Sequence, residues 1–119
     1  MNWKRARLTI PPLLLCCFAV LGCQDGRMYS WGSYQASVRQ MYSKQPADFK
    51  VGDQILRLTK EVKNSESQHK RVPPGEYAYL GYLYYLSGDT KAARTYFDAE
   101  RTAFPEGAQF MDRLIVRLP

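Results

Sequence analysis

Between Tyr77 and Pro105 the smallest and the bulkiest side chains fall at spacings that a tight helical hairpin accommodates and little else does. Tyr77, Leu80, Gly81 and Tyr84 recur three and four residues apart, the period of a helix face, before Gly88-Asp89 interrupts the pattern. Ala93 and Phe97 resume it, and Pro105 closes it. Gly81 and Ala93 lack the bulk that would hold two helix backbones apart, while Leu80, Tyr84 and Phe97 fill the space around them. Gly88 suits the left-handed turn after the first helix, Asp89 or Thr90 can cap the next, and Pro105 cannot continue it. A lone hairpin leaves one face of each helix bare, so the rest of the chain has to stack against it.

The remaining sequence also reads as helix. Trp31, Tyr34, Val38 and Met41 or Tyr42 predict a helix over 30–43, ended by Gln45-Pro46. Phe49, Ile55, Leu58 and Val62 predict a second over 47–65. Residues 65–75, holding Ser67, His69, Lys70, Arg71, Pro73 and Pro74, read as a loop. Phe110, Met111, Leu114, Ile115 and Leu118 place one apolar stripe on a capping helix over 106–117. The absence of alternating polar and β-branched runs leaves an all-α domain over 31–119, built as about two hairpins and a cap.

The start of the chain has a different purpose. Lys4, Arg5 and Arg7 precede an uncharged apolar run from Leu8 to Leu21, the layout of a cleaved export signal. The run is shorter than the roughly 20 residues a spanning helix needs, and it contains Pro11 and Pro12. Residues 1–22 therefore read as a signal peptide, and the short polar segment 23–30 as a tether. Loss of the signal removes three cations from a formal charge of +6, and the basic residues left are scattered apart from His69-Lys70-Arg71. Nucleic acid is not expected as a partner. The basic triplet reads first as a solvated loop and second as a group near phospholipid headgroups.

Three resemblances add to this reading. The Tyr77 to Pro105 spacing resembles a tetratricopeptide repeat, with Tyr77 in place of the usual Trp. Glu100 stands where that pattern has a small residue, which implies looser packing against whatever follows. Val20-Leu21-Gly22-Cys23 resembles the lipobox of bacterial lipoproteins, which implies cleavage after Gly22 and acylation of Cys23. Gln24 in place of Asp after the cysteine implies sorting to the outer membrane; the periplasmic face is the side expected, with the exterior left open. With Cys16 and Cys17 discarded and Cys23 acylated, the mature chain would hold no disulfide and no thiol site. Adding Trp31-Gly32-x-Tyr34, Arg71-Val72-Pro73-Pro74-Gly75 and Phe110-Met111-Asp112-Arg113-Leu114, the whole chain looks like a family of small bacterial lipoproteins of unknown function. Members are often encoded beside curli-secretion-type pore lipoproteins, which implies such a lipoprotein, or another envelope protein, as partner.

Chemistry is sparse. His69 is the single histidine and lies in the polar loop, so neither a nucleophilic triad nor a metal site is expected, and no cofactor is implied. Asp98 and Glu100, two apart on a helix, point away from each other and cannot share a reacting group. Tyr79, Tyr82 and Leu86 fall opposite the packing stripe, on the inner surface of a tetratricopeptide fold. They either bind a partner or pack against the long second helix. That stripe lacks the Lys, Arg and Asn of a carboxylate clamp. The expectation is a lipid-anchored, non-enzymatic adaptor of an envelope complex, with a binder of small molecules or peptidoglycan fragments as the rival.

Overall fold

The computed structural model describes residues 27–43 and 49–119. The expected signal peptide, with Gly22 and Cys23, as well as Gln45-Pro46, lie outside the described residues. Among the described residues five α-helices and one 3-10 turn follow one another: α1 (Tyr34–Met41), α2 (Val51–Ser67), α3 (Glu76–Leu86), α4 (Thr90–Ala103), the 3-10 turn Pro105–Gly107 and α5 (Ala108–Val116). Among the described residues there is no strand, only a single parallel bridge between Tyr29 and Arg71. The fold is all-helical.

α3 and α4 form the hairpin that the spacing predicts. The start of α3 meets the end of α4, and Gly81 in mid-α3 meets Ala93 and Phe97, so the two run antiparallel. A Cβ on Gly81 would lie 2.8 Å from the Phe97 ring and 3.1 Å from the Ala93 carbonyl oxygen, so glycine is required for this approach. Gly88 turns the chain with φ 87°, and the Asp89 side chain accepts the Ala92 N–H at 2.9 Å to cap α4. Leu80, Ala93 and Phe97 are buried, whereas Tyr77 and Tyr84 are half-buried and tie α3 to α2: the Tyr77 hydroxyl donates to Glu66 at 2.7 Å, and Tyr84 meets Thr59 at 3.4 Å. Pro105 stands at the first position of the 3-10 turn, where its missing N–H costs nothing.

Two cores flank this hairpin. Leu58 and Val62 of α2 join Val72, Leu80 and Leu83 on one side. Ala93 and Phe97 join Met111 and Ile115 of α5 on the other. α5 is the expected cap, but Phe110 is exposed, because Met111, Leu114, Ile115 and Leu118 already fill the face turned to α4. The expected loop begins later than predicted, since α2 runs to Ser67, and α1 is shorter than the predicted 30–43.

Both helices that open a pair are capped from the helix that follows. Ser33, ahead of α1, donates its N–H and its hydroxyl to the Glu61 carboxylate of α2, at 2.8 and 3.1 Å. Gly75, ahead of α3, has no side chain to cap with and donates its N–H to Glu100 of α4 at 2.7 Å, with the Ala78 N–H at 3.3 Å. The first N–H groups of a helix have no partner within it, and a carboxylate there satisfies them and meets the positive end of the helix dipole. Glu100 is therefore a buried inter-helix cap. The position that departs from the repeat pattern faces the start of α3, where the carboxylate is buried with bonded partners.

Candidate functional site

The tyrosines of α3 divide between two faces. Tyr79, grouped in sequence with Tyr82 and Leu86, is half-buried and turns toward α1 and α2. Its hydroxyl lies 3.2 Å from Ser37 Oγ, its ring lies 5.8 Å from that of Tyr34, and Ser37 Oγ donates to Gln54 Oε1 at 2.8 Å. Gln54 also donates to Gln40 at 3.1 Å and accepts from Arg57. This polar junction seats α3 on the first pair of helices. It was hidden in the sequence because Ser37, the fully buried residue of α1, interrupts the apolar stripe by which α1 was recognised. Tyr79 is thus not on the same surface as Tyr82.

Tyr82, Tyr85 and Leu86 remain 39%, 44% and 43% exposed. Tyr82 and Tyr85 stack with ring centroids 6.4 Å apart. They form one wall of a small groove of about 180 Å³, completed by Phe97 of α4, Leu114 of α5, and Arg117 and Leu118 just beyond it. Arg117 is the one charged residue of this lining. Apolar walls with a single cation suit an apolar or aromatic side chain whose backbone or carboxylate is within reach of a guanidinium. Tyr85 and the contribution of α5 were missed in sequence, because the helical stripe was drawn through Tyr79, Tyr82 and Leu86, and Tyr85 falls off that line.

A second, larger cavity of about 410 Å³ lies where the chain joins the domain, between residues 27–32 and the loop His69-Lys70-Arg71. The Tyr29–Arg71 bridge fixes it: the Ser30 N–H donates to the Arg71 carbonyl at 2.9 Å, and the Arg71 guanidinium lies 5.2 Å from the centre of the Tyr29 ring. His69 takes a left-handed conformation, φ 54°, that turns this loop. Arg71 of the basic triplet is thus set against the Tyr29 ring, which sequence spacing could not reveal.

Acidic groups gather instead inside the fold. Glu76, in the first turn of α3, is buried between Glu61 and Glu100. Burial above all, and then the charges of Glu61 and Glu100, push its carboxyl up to about 8. Burial also raises Glu100, against the lowering effect of the backbone N–H groups it accepts. Asp98 and Glu100 diverge as helix geometry requires: Asp98 pairs with Arg101 at 2.8 Å, and Arg101 reaches Asp112 of α5 at 2.7 Å. Among the described residues no three His, Cys, Asp or Glu side chains are placed to hold a metal ion.

Residues 28–114 match a domain of unknown function, DUF4810. The chain belongs to the DUF4810 family. The match spans the helices from α1 to the last turns of α5, and with them the Tyr82–Tyr85 stack and the basic triplet. No curated protein and no solved structure matches the chain.

Proposed function

We propose that this DUF4810 protein is a lipid-anchored, non-enzymatic adaptor of a cell-envelope complex, held by acyl chains on Cys23 at the periplasmic face of the outer membrane. The observation that carries the adaptor reading is the exposed Tyr82–Tyr85 stack beside an apolar groove with one cation. Tyrosine offers large contact area at low entropic cost, and exposed aromatic pairs beside a preformed groove are typical anchors of protein interfaces. The hairpins arranged as a short tetratricopeptide-like stack present that groove on a rigid helical frame. The anchor rests on the sequence: a charged start, a short apolar run, and Gly22-Cys23 at its end. Two or more acyl chains would make attachment effectively permanent.

The partner surface is an apolar or aromatic-rich segment of another envelope protein, a curli-secretion-type pore lipoprotein being the first candidate. Site-specific photocrosslinking from position 85 in intact cells tests this. One discrete adduct, lost on Tyr82→Ala with Leu118→Ala while the helical circular dichroism is retained, is the expected result. Absence of any adduct, together with saturable heat on titration of muropeptides, overturns the adaptor in favour of a peptidoglycan-fragment binder.

A further inference from the structure

We infer that the face formed by residues 27–32 and 69–71 docks flat on the anionic headgroup layer of the membrane, so that the domain is held in a fixed orientation and not merely tethered. This rests on the proposed acylation of Cys23. Arg27 is four residues beyond Cys23, and an extended chain spans at most about 3.6 Å per residue, so the cavity begins within about 14 Å of the acylated residue. A phosphate layer at that distance is unavoidable for an anchored chain.

The face carries what such a layer selects. Arg27, Lys70 and Arg71 line the cavity with His69, and no carboxylate is among its described lining residues. At the same edge Met28 is 65% exposed and Trp31 is 39% exposed. Trp at the headgroup level with cations beside it is the composition of an interfacial anchor. The aromatic residues are also coupled rigidly to the domain: Tyr29 meets Trp31 edge-on at 6.3 Å, Trp31 stacks on Tyr34 at 6.4 Å, and Tyr34 contacts Tyr79 of α3 at 5.8 Å. Orientation at the membrane is thereby passed to the helix that carries Tyr82 and Tyr85. The docking face shares no lining residue with the partner groove, so both can be occupied together.

The sequence supplies its own reporter, because Trp3 would leave with the signal and Trp31 would be the sole tryptophan of the mature chain. Lipidated protein is placed in vesicles of phosphatidylethanolamine with or without phosphatidylglycerol, and Trp31 quenching by brominated lipid is measured. Quenching in the anionic vesicles that falls with added salt is expected. A cation near such a surface contributes about a fivefold factor, so Lys70→Gln with Arg71→Gln should lower the docked-to-undocked ratio about 25-fold. Lys70→Gln alone, which leaves the Arg71–Tyr29 contact in place, should lower it about fivefold. Trp31 unquenched in anionic vesicles on a chain whose mass includes the acyl groups overturns the docking and leaves the anchor standing. A mass without acyl groups overturns the anchor itself. A saturable Trp31 response to inorganic phosphate in the absence of vesicles, equal to that on anionic vesicles, assigns the cavity to a soluble anion and overturns membrane docking.

Discussion

Glu76→Gln separates a buried carboxyl that is neutral in the folded protein from one that is merely covered. The folded pKa, about 8, lies above the ordinary 4.5, so the folded chain keeps a proton that the unfolded chain releases. Between those values unfolding releases one proton, and stability falls as pH rises, by up to about 1.4 kcal/mol per pH unit. The contribution is whole below pH 4.5 and is lost as pH climbs to about 8. A domain of this size has on the order of 5–15 kcal/mol in total, so the loss is a substantial share of it. Glu100 is raised as well and adds a slope of the same sign, so the informative quantity is the difference between wild type and variant. Urea denaturation followed by circular dichroism at pH 5, 6, 7 and 8 measures it. Glutamine cannot ionise; its stability relative to wild type should therefore rise steadily from pH 5 to 8. Parallel pH profiles for the two proteins would refute the reasoning and mean that Glu76 ionises in the folded chain as freely as in the unfolded one.

Three further perturbations probe other parts of the fold. Glu100→Ala leaves the Gly75 and Ala78 N–H groups without their cap and should cost about 1–3 kcal/mol in the same urea assay, with a smaller cost for Glu100→Gln, which keeps an acceptor. Gly81→Ala drives a methyl group against Phe97 and the Ala93 carbonyl and should lower stability by about 1–3 kcal/mol, whereas Gly52→Ala, with open space around it on α2, should be neutral or stabilising. Tyr79→Phe keeps the ring but removes the hydroxyl from Ser37, for an expected cost of about 0.5–1.5 kcal/mol in thermal melts and no change in photocrosslinking from position 85.

The α3–α4 hairpin was legible because its constraints are local and steric. Gly81, Ala93 and Gly88 answer to backbone approach and to a turn conformation, and residue type reports those demands directly. The same holds for the capping stripe of α5, apart from Phe110, whose exposure depends on how many of its neighbours the α4 face can accept. Tyr79 was misgrouped for a physical reason: a tyrosine serves a partner surface or a buried polar junction equally well, and the choice is made by whether Ser37 and Gln54 are brought opposite its hydroxyl.

By itself the sequence determined an all-helical domain, one close hairpin and the order of its helices, since each follows from side-chain volume or periodicity along the chain. Tertiary structure alone decided what its polar residues do. Glu61 and Glu100 became caps that accept N–H groups 28 and 25 residues earlier, and Glu76 was enclosed between them. The basic loop was set against Tyr29, while Tyr82 and Tyr85 were left facing outward. Such assignments depend on which distant group supplies the missing hydrogen bond or excludes water, and that is fixed only once the helices have packed.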